Sequence, residues 1–254
     1  FGKGRLDIRA EVMKRSSLRP LADTFNAMAD RISALVNSQK MLINAVSHEF
    51  RTPISRIRFG MEMLESSETE EDKKRYLNGI YSDIGEIESL VSELIAYVRF
   101  DRIKPELSIE NLPTYTWLKS LADTACRQIS DIRINICDTE LPETLNADPK
   151  YMGRAVENLL SNAMRHAKSV INISARIENS FFVICVEDDG PGIAEADRER
   201  IFEPFMRLDE SRNRDSGGYG LGLAIVRQIM GWHDGTATVS ASFSGGACFC
   251  LKWR

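Results

Sequence analysis

A long apolar seam near the start of the chain most constrains its fold. Between Pro20 and Leu64, seam positions recur at steps of three and four residues with few helix-breaking residues. This spacing is typical of one face of a helix that packs against other helices. The seam therefore predicts one long helix, and its first positions are Phe25, Met28, Ile32, Leu35, Gln39, Leu42 and Val46.

The seam changes phase after Val46, where its positions become 50, 54, 57, 61 and 64. Such a stutter locally unwinds a coiled coil. Pro53 lies in the same stretch, and a proline inside a helix removes a backbone donor and bends the helix. We therefore predict a change of helix packing beside His48, although a tolerated irregularity is the alternative.

A second amphipathic segment, from Glu70 to Asp101, follows a short polar break. Two amphipathic helices joined by a short turn form an antiparallel hairpin. One such hairpin has more apolar surface than it can bury alone, so we expect a homodimer whose two hairpins form a four-helix bundle. The second seam is Ile80, Ile84, Ile87, Val91, Leu94 and Val98.

The pattern changes after a proline-bearing link at Ile103–Pro113. Short alternating or continuous apolar runs now predict strands, and two longer amphipathic segments predict helices. This mixture predicts an α/β two-layer sandwich after the hairpin, so the fold class is α+β and multidomain. The predicted strands are 132–136, 170–174, 181–186, 236–242 and 247–253, and the predicted helices are 150–166 and 222–230.

Composition excludes some classes of protein. A net charge of −4 disfavours a nucleic-acid binder, and no apolar run reaches the roughly 18 residues of a membrane span. The five cysteines are odd in number and lack ligand spacing, which predicts reduced thiols. Cys248 and Cys250 would share one face of a strand, where we expect core packing rather than a metal site.

One histidine has neighbours suited to phosphoryl chemistry, in the segment Ser47-His48-Glu49-Phe50-Arg51-Thr52-Pro53. A neutral imidazole has an unprotonated nitrogen that can accept a phosphoryl group. Glu49 can accept the imidazole proton or hold its tautomer. Thr52 lies one helical turn beyond His48 on the same face. Alone, a His-Glu pair would indicate only a solvated helix face.

Two later segments suit a nucleotide with Mg²⁺. Asn158 and Asn162 lie one helical turn apart, and carboxamide oxygens suit this cation. Arg165 could face a phosphate. Asp188 ends an apolar run, where a carboxylate can accept a hydrogen bond from the adenine amine. The glycines that follow it, Gly190 and Gly192, would let the backbone approach the base.

A third segment, from Gly218 to Leu223, carries alternating glycines before a helix. Its backbone amides could bind a phosphate at the helix N-terminus, and the candidate residues are Gly218, Gly220, Leu221 and Gly222. A loop at 206–217 precedes it, with Arg207, Arg212 and Arg214 able to contact phosphates or simply to be solvated. The segment is not a Walker A loop, because no Gly-Lys-Ser/Thr follows. It is not a Rossmann-type loop either, because no βαβ unit follows it.

These motifs, in this order, resemble those of bacterial two-component sensor histidine kinases, including the GHKL-type ATP-binding fold. The resemblance includes five motifs: His-Glu-x-x-Thr-Pro at His48–Pro53, an N box at Glu157–Ala163, glycine boxes at Asp188–Gly192 and Gly218–Leu223, and an F box at Ile201–Phe205. It implies that His48 is autophosphorylated and that Thr52 helps place water to dephosphorylate a partner. It also implies that Asn162, with Asn158, binds Mg²⁺ and that Asp188 reads the adenine of ATP.

The resemblance also implies a domain order. Residues 1–36 resemble the C-terminal part of a HAMP signal-relay linker, with a helical extension of the bundle as the alternative. Residues 37–104 would form the dimerising phosphotransfer hairpin, and 105–254 the catalytic ATP-binding domain. The implied partners are a second copy and the receiver domain of a response regulator, with no nucleic acid. We expect the chain to be the cytosolic portion of a longer protein that spans the bacterial inner membrane.

Two other classes of protein remain open from the sequence. A GHKL ATPase that acts as a conformational clamp would share the nucleotide motifs, and steady ATP turnover without an acid-labile phosphoprotein would support it. A signalling scaffold that binds nucleotide without catalysis is the second alternative. The intact Glu49, Asn162 and Asp188 argue against the scaffold.

Overall fold

The computed structural model describes residues 8–10, 18–102, 105–126, 132–137, 139–208 and 218–254, without the side chains of Ser38 and of residues 99–102. The chain forms two compact units, 1–83 and 84–254. Most of the HAMP-like segment before residue 18 lies outside the described residues, as do Arg212 and Arg214 of the predicted loop. The predicted domain boundaries at 36/37 and 104/105 stay predictions.

Two helices form the hairpin that the seams predict, and the first unit contains all of the first helix and the start of the second. Helix α1 spans Arg19–Ser66 and continues through Pro53, while α2 spans Glu70–Arg102. At the start of α2 the Thr69 hydroxyl accepts a hydrogen bond from the Asp72 amide at 3.1 Å. Acidic residues in this first turn interact favourably with the positive end of the helix dipole. The bend predicted at Pro53 stays a prediction.

Two contacts join the helices of the first unit. Gly60 allows close approach, because a Cβ there would lie 3.0 Å from Ile80 Cγ1. Arg56 Nη2 lies 2.6 Å from Asp83 Oδ1, and the Asp83 side chain is only 13% exposed. Among the described residues of this unit, those that are buried are Ala22, Ala29, Pro53 and Gly60. The hairpin therefore leaves much of its apolar seam open to solvent.

The second unit is a mixed α/β domain. Its strands are β1 Glu110–Pro113, β2 Arg133–Cys137, β3 Thr144–Ala147, β4 Val170–Glu178, β5 Phe181–Asp188, β6 Thr236–Ala241 and β7 Ala247–Trp253, and its helices are α3 Thr114–Cys126, α4 Pro149–His166 and α5 Gly222–Trp232. Five strands form one sheet in the order β2-β4-β5-β7-β6, and β1 and β3 form a separate pair. Among the described strands, β2 and β4 pair in parallel and the other pairings are antiparallel.

The main core lies between the helices and one face of the sheet, so the predicted two-layer sandwich is confirmed. Alternate residues of each strand face the helices, as the period of two requires. Trp253 closes this core and its indole nitrogen donates to the Asn146 carbonyl at 2.7 Å. The fully buried residues of the core include Leu159, Leu160, Ile171, Ile173, Ile184, Phe249 and Leu251.

Three elements between residues 110 and 147 are absent from the sequence prediction. Strands β1 and β3 pair with each other over only four residues each, too few to produce a clear alternation. Helix α3 buries Leu118 and Ala122 and follows β1 directly. The Thr114 amide at its start donates to the Glu143 carbonyl at 3.1 Å, a contact between distant parts of the chain.

The prediction of reduced thiols is wrong for two of the cysteines, whereas the predicted core packing of Cys248 and Cys250 is confirmed. Cys185 and Cys250 form a disulfide, so not all thiols are free. Cys248 and Cys250 pack with Cys185 and Val183 in a small hydrophobic cluster that is separate from the main core. The physical reason is strand register, since β5 and β7 place Cys185 opposite Cys250 although 65 residues separate them in sequence.

No helix in the described part of the chain is long and apolar enough to cross a bilayer.

Candidate functional site

His48 lies on α1 with its side chain 72% exposed. Its Nδ1 lies 3.6 Å from Glu49 Oε1, which places the carboxylate beside the ring but beyond a hydrogen-bond distance. A proton on Nδ1 would face this carboxylate, and Nε2 would then be the unprotonated nitrogen. The exposed imidazole is therefore accessible to a phosphoryl donor.

Thr52 follows one turn beyond His48 on the uninterrupted helix and is half-buried. Residues four apart share one face of a helix, so the structure brings His48 and Thr52 together as predicted. The Ser47 hydroxyl is less suited than that of Thr52 to position a water molecule, because it already donates to the Ile43 carbonyl at 2.7 Å.

The start of α4 is fixed by a buried carboxylate. Asp148 Oδ1 accepts hydrogen bonds from the amides of Lys150 at 3.0 Å and Tyr151 at 3.1 Å. The Asp148 amide in turn donates to His233 Nε2 at 3.3 Å. Such an N-cap satisfies amides that have no partner inside the helix. The cap therefore fixes where the asparagines of α4 lie.

Asn158 and Asn162 are both half-buried at the edge of the apolar face of α4. Asn158 Nδ2 donates to the Arg154 carbonyl at 2.9 Å, which directs Oδ1 to the other side. That oxygen would lie 3.2 Å from a Cβ placed on Gly222. The N box thus meets the glycine segment that begins α5. An oriented amide oxygen beside a second amide suits Mg²⁺, which binds oxygen ligands and keeps several waters.

Asp188 ends β5 and is only 3% exposed. Its Oδ1 accepts hydrogen bonds from the amides of Gly190 at 2.8 Å and Ala247 at 3.2 Å. Both described bonds go to the same oxygen, so Oδ2 is the atom suited to receive an adenine amine. A buried carboxylate held by two backbone donors is a rigid acceptor.

Glycine is required on both sides of this carboxylate. A Cβ on Gly190 would lie 2.4 Å from the His166 carbonyl oxygen, and one on Gly246 would lie 2.2 Å from the Asp188 carbonyl oxygen. Gly192 lies nearby, in contact with the 245–246 turn. The sequence analysis missed Gly246 as a site residue, because its segment indicated only a hairpin turn.

Asp189 is a second residue that the sequence analysis missed. Its Oδ1 accepts from the amides of Lys168 at 2.7 Å and Ser169 at 3.1 Å, and its Oδ2 accepts from the Ser169 hydroxyl at 2.6 Å. These donors hold the pKa of the Asp189 carboxyl far below its usual range. Asp189 thereby ties the end of β5 to the chain that leaves α4.

The second glycine segment leads directly into α5. Gly220 has a φ of 74°, a left-handed conformation that favours glycine, and its carbonyl accepts from the Phe205 amide at 3.0 Å. The F box therefore lies against this segment. The Leu221 side chain is fully buried, so it anchors the segment while its backbone faces the site. The Tyr219 hydroxyl donates to the Glu86 carbonyl.

Two arginines approach the same segment. A Cβ on Gly218 would lie 2.0 Å from Arg165 Nη1, which places the guanidinium beside this glycine. Partial desolvation lowers the pKa of Arg165, the Glu93 carboxylate opposes this, and Arg207 lowers it further. Burial raises the pKa of the Glu93 carboxyl. A polyanionic ligand would relieve the repulsion between Arg165 and Arg207.

These features define the class of protein. An acidic strand end, two helical asparagines and a glycine segment at a helix N-terminus form a candidate nucleotide site in an α/β sandwich. The same chain carries an exposed histidine on a helical hairpin. The predicted nucleotide residues thus lie on the second unit and the predicted phosphoryl acceptor lies on the first, while Arg212 and Arg214 lie outside the described residues.

Comparisons with known proteins agree with this class. The model described as "Histidine kinase-, DNA gyrase B-, and HSP90-like ATPase" matches residues 147–254, and "His Kinase A (phospho-acceptor) domain" matches residues 38–103. Sensor protein RstB of Escherichia coli strain K12 is 39% identical over 254 residues, 100% of this chain and 57% of the relative. Sensor histidine kinase CpxA of the same strain is 31% identical over 225 residues, 88% of this chain and 48% of the relative.

A solved structure, full-length ShkA in complex with AMPPNP, superimposes with a TM-score of 0.59 at 27% identity. The match covers 84% of this chain and 45% of that one. The chain belongs to the two-component sensor histidine kinases. It spans about half the length of the curated relatives it matches.

Proposed function

We propose that this chain transfers the γ-phosphoryl group of ATP to His48. The observation that carries the proposal is the exposed imidazole with Glu49 beside Nδ1, on a chain that also folds a nucleotide site. Nε2 attacks phosphorus, a nitrogen–phosphorus bond forms, and the bond from phosphorus to the ADP oxygen breaks. The imidazolium then loses its Nδ1 proton, for which Glu49 is the nearby acceptor.

Each part of the nucleotide has residues suited to it. The Asp188 carboxylate accepts the adenine amine, and the amides at Gly218, Gly220 and Gly222 receive phosphate oxygens. Arg165 and Arg207 add positive charge near the phosphates. Asn162 and Asn158 would hold Mg²⁺, which when bound neutralises charge that develops on the phosphates.

The partners follow from the same family relationship. A second copy of the chain completes a four-helix bundle around the exposed seam. The phosphoryl group then passes from His48 to an aspartate in the receiver domain of a response regulator. Thr52, one turn beyond His48, would position water for dephosphorylation of that regulator. The full-length protein would be anchored in the bacterial inner membrane with this portion in the cytosol.

The test is labelling with γ-labelled ATP and Mg²⁺, followed by acid and base treatment. We expect label that survives base, is lost in acid and is absent from His48→Ala. His166→Ala is the matched control, because His166 is also exposed on a helix, and it should label normally. Label that persists in His48→Ala contradicts the proposal. Steady ATP hydrolysis without any labelled protein would favour the clamp-type ATPase.

A further inference from the structure

Three cysteine sulfurs meet on the sheet face that points away from the main core. Cys185 on β5 lies opposite Cys250 on β7, and Cys248 shares the face of Cys250 because it lies two residues away on the same strand. The three Sγ atoms all lie within 4.8 Å of one another. The Cys248 and Cys250 sulfurs are 3.6 Å apart.

A carboxylate borders this group of sulfurs. Glu187 Oε1 lies 3.6 Å from Cys248 Sγ, and Glu187 Oε2 accepts a hydrogen bond from the Ser242 hydroxyl at 3.2 Å. The serine therefore holds one carboxylate oxygen while the other faces sulfur. A partner of this kind is what orients a ligand residue around a metal.

A cation borders the opposite side of the group. Arg176 Nη1 lies 3.6 Å from Cys185 Sγ, and Arg176 Nε donates to Glu178 Oε1 at 2.6 Å. Three thiolates and a divalent ion carry a net negative charge, which a neighbouring guanidinium stabilises. The surroundings thus suit a metal–thiolate centre in charge.

We propose that the reduced form of this cluster binds one Zn²⁺ through Cys185, Cys248 and Cys250, with Glu187 as the fourth ligand. Zinc binds four thiolate, imidazole or carboxylate ligands in a tetrahedron. Zinc–sulfur bonds of about 2.3 Å place neighbouring sulfurs about 3.8 Å apart. The separation of Cys248 and Cys250 already matches this spacing.

The disulfide must first be opened. A dithiol reductant supplies two electrons and two protons, the Cys185–Cys250 bond becomes two thiols, and the reductant becomes a disulfide. On binding, each of the three thiols releases its proton and forms a bond to the metal. The disulfide and the metal centre are therefore alternative states of the same residues.

The site is separate from the nucleotide site. Cys248 directly follows Ala247 on β7, and Glu187 directly precedes Asp188 on β5. Successive strand residues point to opposite faces of the sheet. The adenine carboxylate therefore points to the helix side, and the sulfurs point to the other. Zinc binding can be measured without any nucleotide present.

The first test titrates the whole reduced chain with Zn²⁺ against a chromophoric chelator. We expect one equivalent to bind, and Cys185→Ser, Cys248→Ser and Cys250→Ser each to weaken binding at least about tenfold. Cys126→Ser and Cys137→Ser are matched controls, because both residues are exposed free cysteines away from this cluster. Less than one bound equivalent, or equal affinity in all five variants, would overturn the proposal.

A second test needs no variant, so it holds even if a serine variant fails to fold. One equivalent of Zn²⁺ should protect Cys185, Cys248 and Cys250 of the reduced chain from alkylation and leave Cys126 and Cys137 reactive. Co²⁺ in place of Zn²⁺ should give thiolate charge-transfer absorption of a tetrahedral centre. Equal alkylation of the three cysteines with and without metal would show that they do not bind it.

Discussion

The hairpin and the sandwich both carry an apolar pattern, but only the sandwich buries its pattern within the described chain. In the sandwich Phe249 and Trp253 are each 1% exposed, within a core that the unit completes by itself. In the hairpin Leu35 is 64% exposed and Met61 is 53% exposed, although both lie on the predicted seam. The sandwich therefore buries its apolar residues within one chain. The hairpin leaves its apolar residues exposed, where a second chain could cover them.

This difference bears on what holds each region together. Exposed apolar positions that recur along both helices, rather than singly, mark an interaction surface. A second hairpin is the partner that a repeating seam of this kind fits best. The sandwich should therefore keep its stability when the chain is diluted, while the hairpin should depend on protein concentration.

The largest effect should come from placing charge in the seam. Each Met61 side chain buried in a dimer contributes about 2 kcal/mol, and a symmetric dimer buries two of them. Met61→Asp should therefore weaken association by about 4 kcal/mol, roughly a thousandfold. Analytical ultracentrifugation of the variant and of the unchanged chain measures this loss.

Ser55→Asp is the control for this substitution. Ser55 is an exposed position of α1 outside the seam, so the same charge there should leave the dimer intact. An unchanged chain that sediments as a monomer, or a Met61→Asp chain that stays dimeric, would contradict the distinction between the two regions.

The next largest effect should be a loss of stability and ATP binding in the sandwich, with dimerisation unchanged. Gly190→Ala would bring its Cβ to 2.4 Å from a backbone oxygen of His166, which cannot move aside without moving the helix end. We expect a loss of about 2 kcal/mol in stability and ATP binding at least about ten times weaker. Thermal unfolding and titration calorimetry measure the two losses.

Gly218→Ala is the matched comparison, because its closest neighbour is the end of the flexible Arg165 side chain. That guanidinium can turn away, so the stability of Gly218→Ala should stay nearly unchanged and ATP should bind only moderately more weakly. A larger loss of stability in Gly218→Ala than in Gly190→Ala would show that the backbone contact at His166 is not the limiting one.

The sequence predicted those elements whose own residues carry a period. Helices α1 and α4 and strand β4 follow this rule, since each repeats its apolar positions often enough to define a face. The pair β1-β3 was missed because its pairing depends on residues more than thirty positions apart.

The site was predictable to a similar extent. Asp188 and Asn162 could be proposed from the sequence because their motifs are local, with nearby glycines or a helical spacing. Asp189 and Gly246 were missed because their roles arise from donors or carbonyls that folding brings from other segments. The disulfide was missed for the same reason, since strand register rather than spacing pairs Cys185 with Cys250.

A smaller effect should be confined to the hairpin. Arg56→Ala leaves the Asp83 carboxylate, which is 13% exposed, without its ion-pair partner. Because the Arg56 side chain is itself 39% exposed, we expect a loss of only about 1 kcal/mol. Hydrogen exchange should show faster opening of amides in 50–83 and unchanged amides in the five-stranded sheet. Arg58→Ala, at an exposed position two residues further on, should change neither region.

The smallest effect should come from Asp189→Asn, and it should depend on pH. The asparagine keeps an acceptor for the amides of Lys168 and Ser169, so only the negative charge and the bond from the Ser169 hydroxyl change. The folded pKa of this carboxyl is lowered, so its contribution is fully present above the unfolded pKa of about 3.9 and is lost as the pH falls through the lower folded pKa. The melting temperature of Asp189→Asn should therefore lie below that of the unchanged chain at pH 7, and the gap should narrow as the solution is acidified below about pH 4. A gap that stays constant across this range would mean that the charge of Asp189 does not stabilise the sandwich, and that its hydrogen-bond geometry alone links β5 to the end of α4.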